Sequence, residues 1–262
     1  MAYQFILCTL SDGVATIVLD RPDVLNSFNR AMAQELQMTL GAVAKDPIVR
    51  AILLTGNGRA FCAGQDLAEA VPADGPLPDL GDIVHTTYNP IVRLIRSIEK
   101  PVICAVNGVA AGAGANLAFA CDILIAAEEA SFIQSFAKIG LIPDTGGTFF
   151  LPRLVGLHRA TAMMMLGDRL TAVRAKELGL VHDVVPNSVL HDTAFGLAKS
   201  LAAQATRGFG LTKRALNRSL GADLDSQLEF EEELQREAGR TSDYAEGVRA
   251  FLEKRKPHFT GH

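Results

Sequence analysis

The stretch PVICAVNGVAAGAGANLAFACDI, Pro101 to Ile123, carries the reading of the fold. Its first part, Val102 to Val106, is an unbroken apolar run after a proline, which predicts a buried strand. Gly108, Gly112 and Gly114 among alanines then predict a tight turn and the start of a buried helix. A helix start offers backbone N–H groups with no carbonyl one turn earlier to accept them, and these carry partial positive charge. Small residues let such groups approach a ligand closely, and Asn116 brings no charge to repel an anion. The same residues also suit plain close packing of a helix on a sheet, so the run alone identifies no ligand. It argues against two nucleotide sites: Leu117 takes the place of the third glycine or alanine of a dinucleotide fingerprint, and no Gly-Lys-Ser/Thr follows to make a phosphate loop.

Outward from this stretch, Phe5 to Leu10 and Val14 to Leu19 flank Ser11-Asp12-Gly13 and predict a β-hairpin. Asn29 is placed to cap an amphipathic helix running to about Lys45, ahead of a buried strand from Val49 to Thr55. Gly56, Gly58 and Gly64 then open a long loop. VPADGPLP, Val71 to Pro78, predicts a mobile surface loop of the kind that acts as a lid, after which Ile83 to Ile98 resumes helical spacing. Strand, turn and helix units continue to about Val185, which defines an α/β fold. Helical patterns follow at Leu190–Gln204, Leu211–Leu220, Leu224–Arg240 and Tyr244–Lys254. Short helices with apolar stripes and no sheet of their own are expected to pack on the core or on another subunit.

Composition narrows the partners. The 262 residues are 48% hydrophobic, ample for a large core, and the net charge of -4 gives no electrostatic reason to expect nucleic acid. No apolar run reaches membrane-spanning length and the first residues lack an export signal, so a cytoplasmic protein with no membrane partner is expected. Cys8, Cys62, Cys104 and Cys121 lie in apolar surroundings without C-x-x-C spacing and predict reduced thiols. The six histidines form no HExxH, and no metal is expected.

Three loops are candidates for chemistry: Ala60 to Leu67 (AFCAGQDL), Val109 to Asn116 (VAAGAGAN) and Gly140 to Thr148 (GLIPDTGGT). Together with RPDVLNSF near the start, AKELGLVHDVV and FLEKRKP, they resemble, in order and over nearly the whole chain, the crotonase or enoyl-CoA hydratase/isomerase superfamily. The resemblance implies an α/β spiral of ββα units over residues 1–195 that holds an acyl-CoA site. It further implies a helical region over 196–262 that builds a homotrimer or a dimer of trimers. It implies an acyl-CoA thioester as substrate and no cofactor beyond that coenzyme A. The backbone N–H groups of Gln65 and Ala113 would be the oxyanion donors. Val24, Ala63, Gly64, Gln65, Asp66, Leu67 and Gly112 would line the thioester and its pantetheine, and Lys254, with Arg21 and Lys256, would reach the phosphates.

An oxyanion hole sets the chemical class, and the carboxylates set the reaction. Two glutamates hold water in hydratases of this family, and by position they are replaced here by Asn116 and Phe136, neither of which acts as a general base. The carboxylate that remains is Asp144, in IPDTGG. Its plain reading is a turn aspartate ahead of Gly146-Gly147; the resemblance makes it face the thioester. One base that removes a proton and returns it elsewhere along an enolate is an isomerase. The resemblance implies isomerisation of a ring epoxide of an aromatic acyl-CoA to an oxepin-CoA, or a 3,4 to 2,3 double-bond shift, within phenylacetate breakdown. Three alternatives stay open. One is hydratase-like water addition. Another is an aryl-CoA dehalogenase, which wants a histidine where Asn89 stands, with His85 one turn away. The third is a non-catalytic acyl-CoA or RNA binder. Tyr88 and Phe61 are expected as pocket walls.

Overall fold

The computed structural model describes residues 3–70 and 78–262. The expected loop at 71–78 therefore lies, apart from Pro78, outside the described residues.

The hairpin forms as β1 (Ile6–Ser11) and β2 (Val14–Leu19), with Ser11 paired to Val14. Asp12 and Gly13 between them take φ of +51° and +75°, the doubly left-handed geometry of a two-residue hairpin turn. Helix α1 (Arg30–Lys45) starts where Asn29 accepts a hydrogen bond from the Met32 N–H, and buries Met32, Ala33, Leu36, Leu40 and Val43 along one stripe. The chain continues through β3 (Ala51–Gly56), β4 (Ala60–Cys62), α2 (Leu67–Ala70), α3 (Leu80–Ile83) and α4 (Asn89–Ser97). Then come β5 (Val102–Val106), β6 (Val109–Ala111), α5 (Ala113–Ala120), β7 (Ile123–Ala127), β8 (Ser131–Ile133), α6 (Gly147–Val155) and α7 (Leu157–Leu166). After β9 (Arg169–Thr171), α8 (Ala172–Glu177) and β10 (Asp183–Val185), four helices complete the chain: α9 (Asn187–Ala202), α10 (Thr206–Ser219), α11 (Leu224–Ala238) and α12 (Ser242–Leu252).

Two sheets share these strands. One has six, in the order β1-β2-β3-β5-β7-β10, parallel except for the hairpin; the other has four, β4-β6-β8-β9. The chain passes from β3 to β4, β5 to β6 and β7 to β8, each time from the first sheet to the second, and helices return it to the first, after β8 by way of β9 and α8, which is the expected spiral of ββα units. Every residue of β5 is buried, as a parallel strand covered on both faces requires.

The region between β5 and α5 differs from its expected form. Val109–Ala111, read from the sequence as part of a turn, is a short strand between β4 and β8. Three residues are too few to show an alternation, and the partners that hold them are distant in sequence. The helical spacing after Ile83 is also interrupted. Between α3 and α4, Val84–Tyr88 forms a π-helical turn, with the Asn89 N–H donating five residues back to the Val84 carbonyl, directly before Pro90.

Helix α9 lies on the large sheet through Ala194, Ala198 and Ala202, all buried, and the expected division at residues 195–196 falls inside it. Helix α10 is tied to the core by Lys213, whose ammonium donates to Asp122 at 2.7 Å; burial lowers the lysine pKa, and Asp122 opposes that shift. Among the described residues no helix is long and apolar enough to cross a membrane.

Candidate functional site

The loop from β4 to α2 is held open by side chains elsewhere. Asn26, fully buried, donates to the carbonyls of Asn57 and Ala60 at 2.8 Å each, and accepts from the Arg21 N–H. Asn107 adds a second donor to Ala60 O. These amides explain RPDVLNSF and VNGV as fastenings: each satisfies backbone groups that the loop leaves unpaired. Phe28 bridges the loop, its N–H donating to Gly64 O and its carbonyl accepting from Asp66 N. In this pairing the intervening Gln65 N–H is turned away from Phe28.

Gly64 brings the two expected donors together. Its φ is +94°, and a Cβ there would fall 2.9 Å from Ala111 O and 3.6 Å from the Ala113 nitrogen. Any larger residue would wedge the loop off α5. Ala113 is the first residue of α5, so its N–H has no intrahelical acceptor, whereas Gly112 already donates to Ile133 O at 2.8 Å. Gln65 and Ala113 thus offer two rigid backbone donors from adjacent elements. Beneath them Cys62 is buried and its pKa is pushed up to about 12, mainly by burial, so this thiol is no nucleophile.

Asp144 stands against the same helix through its backbone. Asn116, one turn along α5 from Ala113 and fully buried, donates from Nδ2 to the Asp144 carbonyl at 2.8 Å. Its Oδ1 accepts from Gln134 Nε2, also at 2.8 Å. Gly147 permits this approach, since a Cβ there would lie 2.3 Å from Asn116 Nδ2. The loop is strained: Thr145 and Gly146 are both left-handed, at φ +52° and +76°, which is costly for a β-branched residue. The Thr145 hydroxyl donates to Asp144 Oδ1 at 2.7 Å. Burial raises the Asp144 pKa above the ordinary carboxylate range, and the hydrogen bonds from Thr145 and from the residue's own backbone only partly oppose it. Phe136 is buried, with its ring 3.7 Å from where a Gly112 Cβ would stand.

The expected coenzyme-binding residues divide. Ala63, Gly64, Gln65, Asp66, Leu67 and Gly112 fall in the loop and helix start just described, and Val24 joins them because Ala63 N donates to Leu25 O beside it. Val24 and Leu67 are exposed, at 42% and 56%, as the wall of an open groove would be. Arg21 is engaged with Asp66 at 2.9 Å and with Ser27 O. Lys254 and Lys256 are exposed beyond α12, and no hydrogen bond among the described residues ties Lys254 to these loops. His85 is exposed, while the neighbouring Thr87 and Tyr88 are buried, and Asn89 stands where the dehalogenase reading wants a histidine.

The sequence shows Asn116 as an uncharged residue in place of a base and gives no sign of a role for Gln134 or Thr145. The relay Gln134–Asn116–Asp144 links positions 18 and 28 residues apart. No local spacing encodes it; an asparagine on an otherwise all-apolar helix was the available signal.

A match to the family described as enoyl-CoA hydratase/isomerase runs over residues 9–262, and the chain belongs to that family. It is 52% identical to the 1,2-epoxyphenylacetyl-CoA isomerase of Escherichia coli K12, over 98% of this chain and 99% of that protein. It is 36% identical to the trans-2-decenoyl-[acyl-carrier-protein] isomerase of Streptococcus mutans, over the full length of both. The crystal structure of an enoyl-CoA hydratase from Bacillus anthracis superimposes with a TM-score of 0.93 at 36% identity, covering 99% of this chain and 100% of that one.

Proposed function

We propose that this protein is an acyl-CoA isomerase in which Asp144 moves a proton along an enolate whose oxygen is held by the N–H groups of Gln65 and Ala113. The observation that carries the reading is a partly buried carboxylate, the one among the described residues with a raised pKa, braced by an asparagine on the helix that supplies one oxyanion donor. Ionised Asp144 takes the proton from the carbon next to the thioester. The charge that develops on oxygen is met by two fixed donors, each worth roughly 3 kcal/mol in such sites. The protonated carboxyl, stabilised by its burial, returns the proton two carbons further on, so a 3,4 double bond becomes a 2,3 double bond with no atom gained or lost. The likeness to the Escherichia coli isomerase supports ring-1,2-epoxyphenylacetyl-CoA as a substrate, rearranged to an oxepin-CoA, in phenylacetate catabolism. Hydration by the two-carboxylate route has no residues here to carry it, since the two positions hold Asn116 and Phe136.

The coenzyme lies along Val24, Ala63, Gly64, Asp66, Leu67 and Gly112 in this reading, with Lys254 toward its phosphates. The oligomer is a homotrimer or a dimer of trimers. Phe251 and Leu252 on α12, 83% and 74% exposed, and Leu224 on α11, 71% exposed, support burial of those helices against other copies.

The test is incubation with a 3-enoyl-CoA, and separately a 2-enoyl-CoA, in heavy water, with deuterium located by mass spectrometry and Asp144→Asn run alongside. Double-bond migration with little hydration is expected, and Asp144→Asn should lose solvent exchange while still binding the ester. Efficient hydration, or exchange that survives in the variant, would overturn the assignment.

A further inference from the structure

Thr145 stands between Asp144 and Gly146-Gly147 in a backbone conformation that its residue type resists. Its φ is +52°, where a branched Cβ crowds the chain and glycine would sit without strain. The residue is 2% exposed, so its hydroxyl has to find a partner inside the protein. Thr39, Thr55 and Thr87, also buried, donate theirs to the backbone carbonyls of Glu35, Ala105 and Ile83. Thr145 donates instead to a carboxylate, Asp144 Oδ1, at 2.7 Å. Glycine would fit this turn and bring no hydroxyl to satisfy, so the strained threonine is explained by what its hydroxyl does to Asp144.

Two features make the contact selective. Branching at Cβ restricts χ1, which holds the hydroxyl in one direction. Among the described residues no other side chain donates to either oxygen of Asp144, and no ion pair reaches it. The elements packed around the loop are uncharged where they meet it: Asn116 on α5, Gly147 and Phe150 on α6, and Val92 on α4. The titratable neighbour is Tyr88, whose phenol is pushed up by burial, then by Cys62 and Asp144, and so stays neutral. Against the burial that raises the Asp144 pKa, Thr145 is the leading opposing influence.

We propose that Thr145 is a positioning residue for the proton transfer: by holding Oδ1 it fixes the carboxylate and leaves Oδ2 to take the proton from the carbon next to the thioester and return it two carbons further on. This rests on the Asp144 reading above and assigns its step to one oxygen. The electron pair of the broken C–H bond moves into the dienolate and forms the new C–H bond, so no other reactant is required. Because the hydroxyl donates to the ionised form, its loss makes the base harder to ionise.

Turnover of 3-hexenoyl-CoA against pH by the wild type, Thr145→Val, Thr145→Gly and Thr145→Ser tests it. Valine keeps the shape and the strain, glycine relieves the strain, and both lack the hydroxyl. Both are expected to move the acid limb of kcat to higher pH, with turnover on that limb down by about tenfold, as for one hydrogen bond to a charged group, and KM nearly unchanged. Serine returns the hydroxyl and should bring the limb back. Glycine adopts the left-handed turn freely, so Thr145→Gly decides the matter even where valine prevents folding. An unmoved limb in the hydroxyl-free variants, or a loss uniform across pH that serine does not restore, overturns the role of Thr145 and leaves Asp144 as the base. Turnover that persists with its acid limb in Asp144→Asn overturns both.

Discussion

The two sheets of this molecule are built on different principles. The large sheet has strands of five or six residues at its centre, β2, β3, β5 and β7, almost all buried, and gives the fold its apolar core. The small sheet consists of three-residue strands, β4, β6, β8 and β9, whose neighbouring loops hold Gln65 and Ala113, the proposed oxyanion donors, and it is fastened by amides such as Asn26 and Asn107. The first sheet sets stability through area removed from water. The second sets position through hydrogen bonds whose geometry leaves little slack.

That contrast predicts separable effects. Ala113→Pro removes one oxyanion donor at a helix position where proline is tolerated. It should lower turnover by roughly a hundredfold to a thousandfold with little change in ester binding, read from single-turnover kinetics. Ile103→Ala in β5 should do the reverse, costing roughly 2–5 kcal/mol of unfolding free energy in denaturant titrations while activity per folded molecule holds. If both variants lost stability and turnover in parallel, the division between the sheets would be broken.

A smaller effect is expected at Asn116→Ala, which frees the Asp144 carbonyl and orphans Gln134. Turnover should fall by about tenfold with KM nearly unchanged, and the kinetic pKa of Asp144 should move as its loop relaxes. A change in KM alone would mean that Asn116 touches substrate instead of bracing the base.

The smallest effect lies in pH. Because burial raises the Asp144 pKa in the folded state, its contribution to stability is full below the unfolded carboxylate pKa and is lost as pH rises through the folded value. Activity has the opposite sense, rising through that same folded value as the base ionises. Asp144→Asn should accordingly be more stable than the wild type at neutral pH and equal to it in acid, as melting across pH would reveal.

Periodicity and turn chemistry made the large sheet legible. Asp12-Gly13 marked the hairpin, Asn29 the start of α1, and the run Val102–Val106 a strand buried on both faces. The small sheet was not legible, since Val109–Ala111 has no pattern of its own and takes its conformation from β4 and β8. At the site, Gln65, Ala113 and Asp144 are legible through family motifs alone; the close approach of Gly64 to Ala111 and Ala113, and the bond from Asn116 to the Asp144 carbonyl, are visible only in the fold. The supports behind them, Gln134, Thr145 and the π-helical turn that buries Tyr88, depend on contacts between distant segments or on a local widening that helical spacing hides.

The brace at Asn116 also bears on how reactions diverge within one fold. Its amide donates a hydrogen bond to the Asp144 carbonyl and accepts one from Gln134, and a carboxylate at that position would set acceptor against acceptor at the carbonyl. Exchanging Asn116 for glutamate alone would therefore dislodge the existing base before any second one came into register. The proposed base and the brace behind it are therefore one unit, in which position 116 cannot take a carboxylate while Asp144 keeps its place.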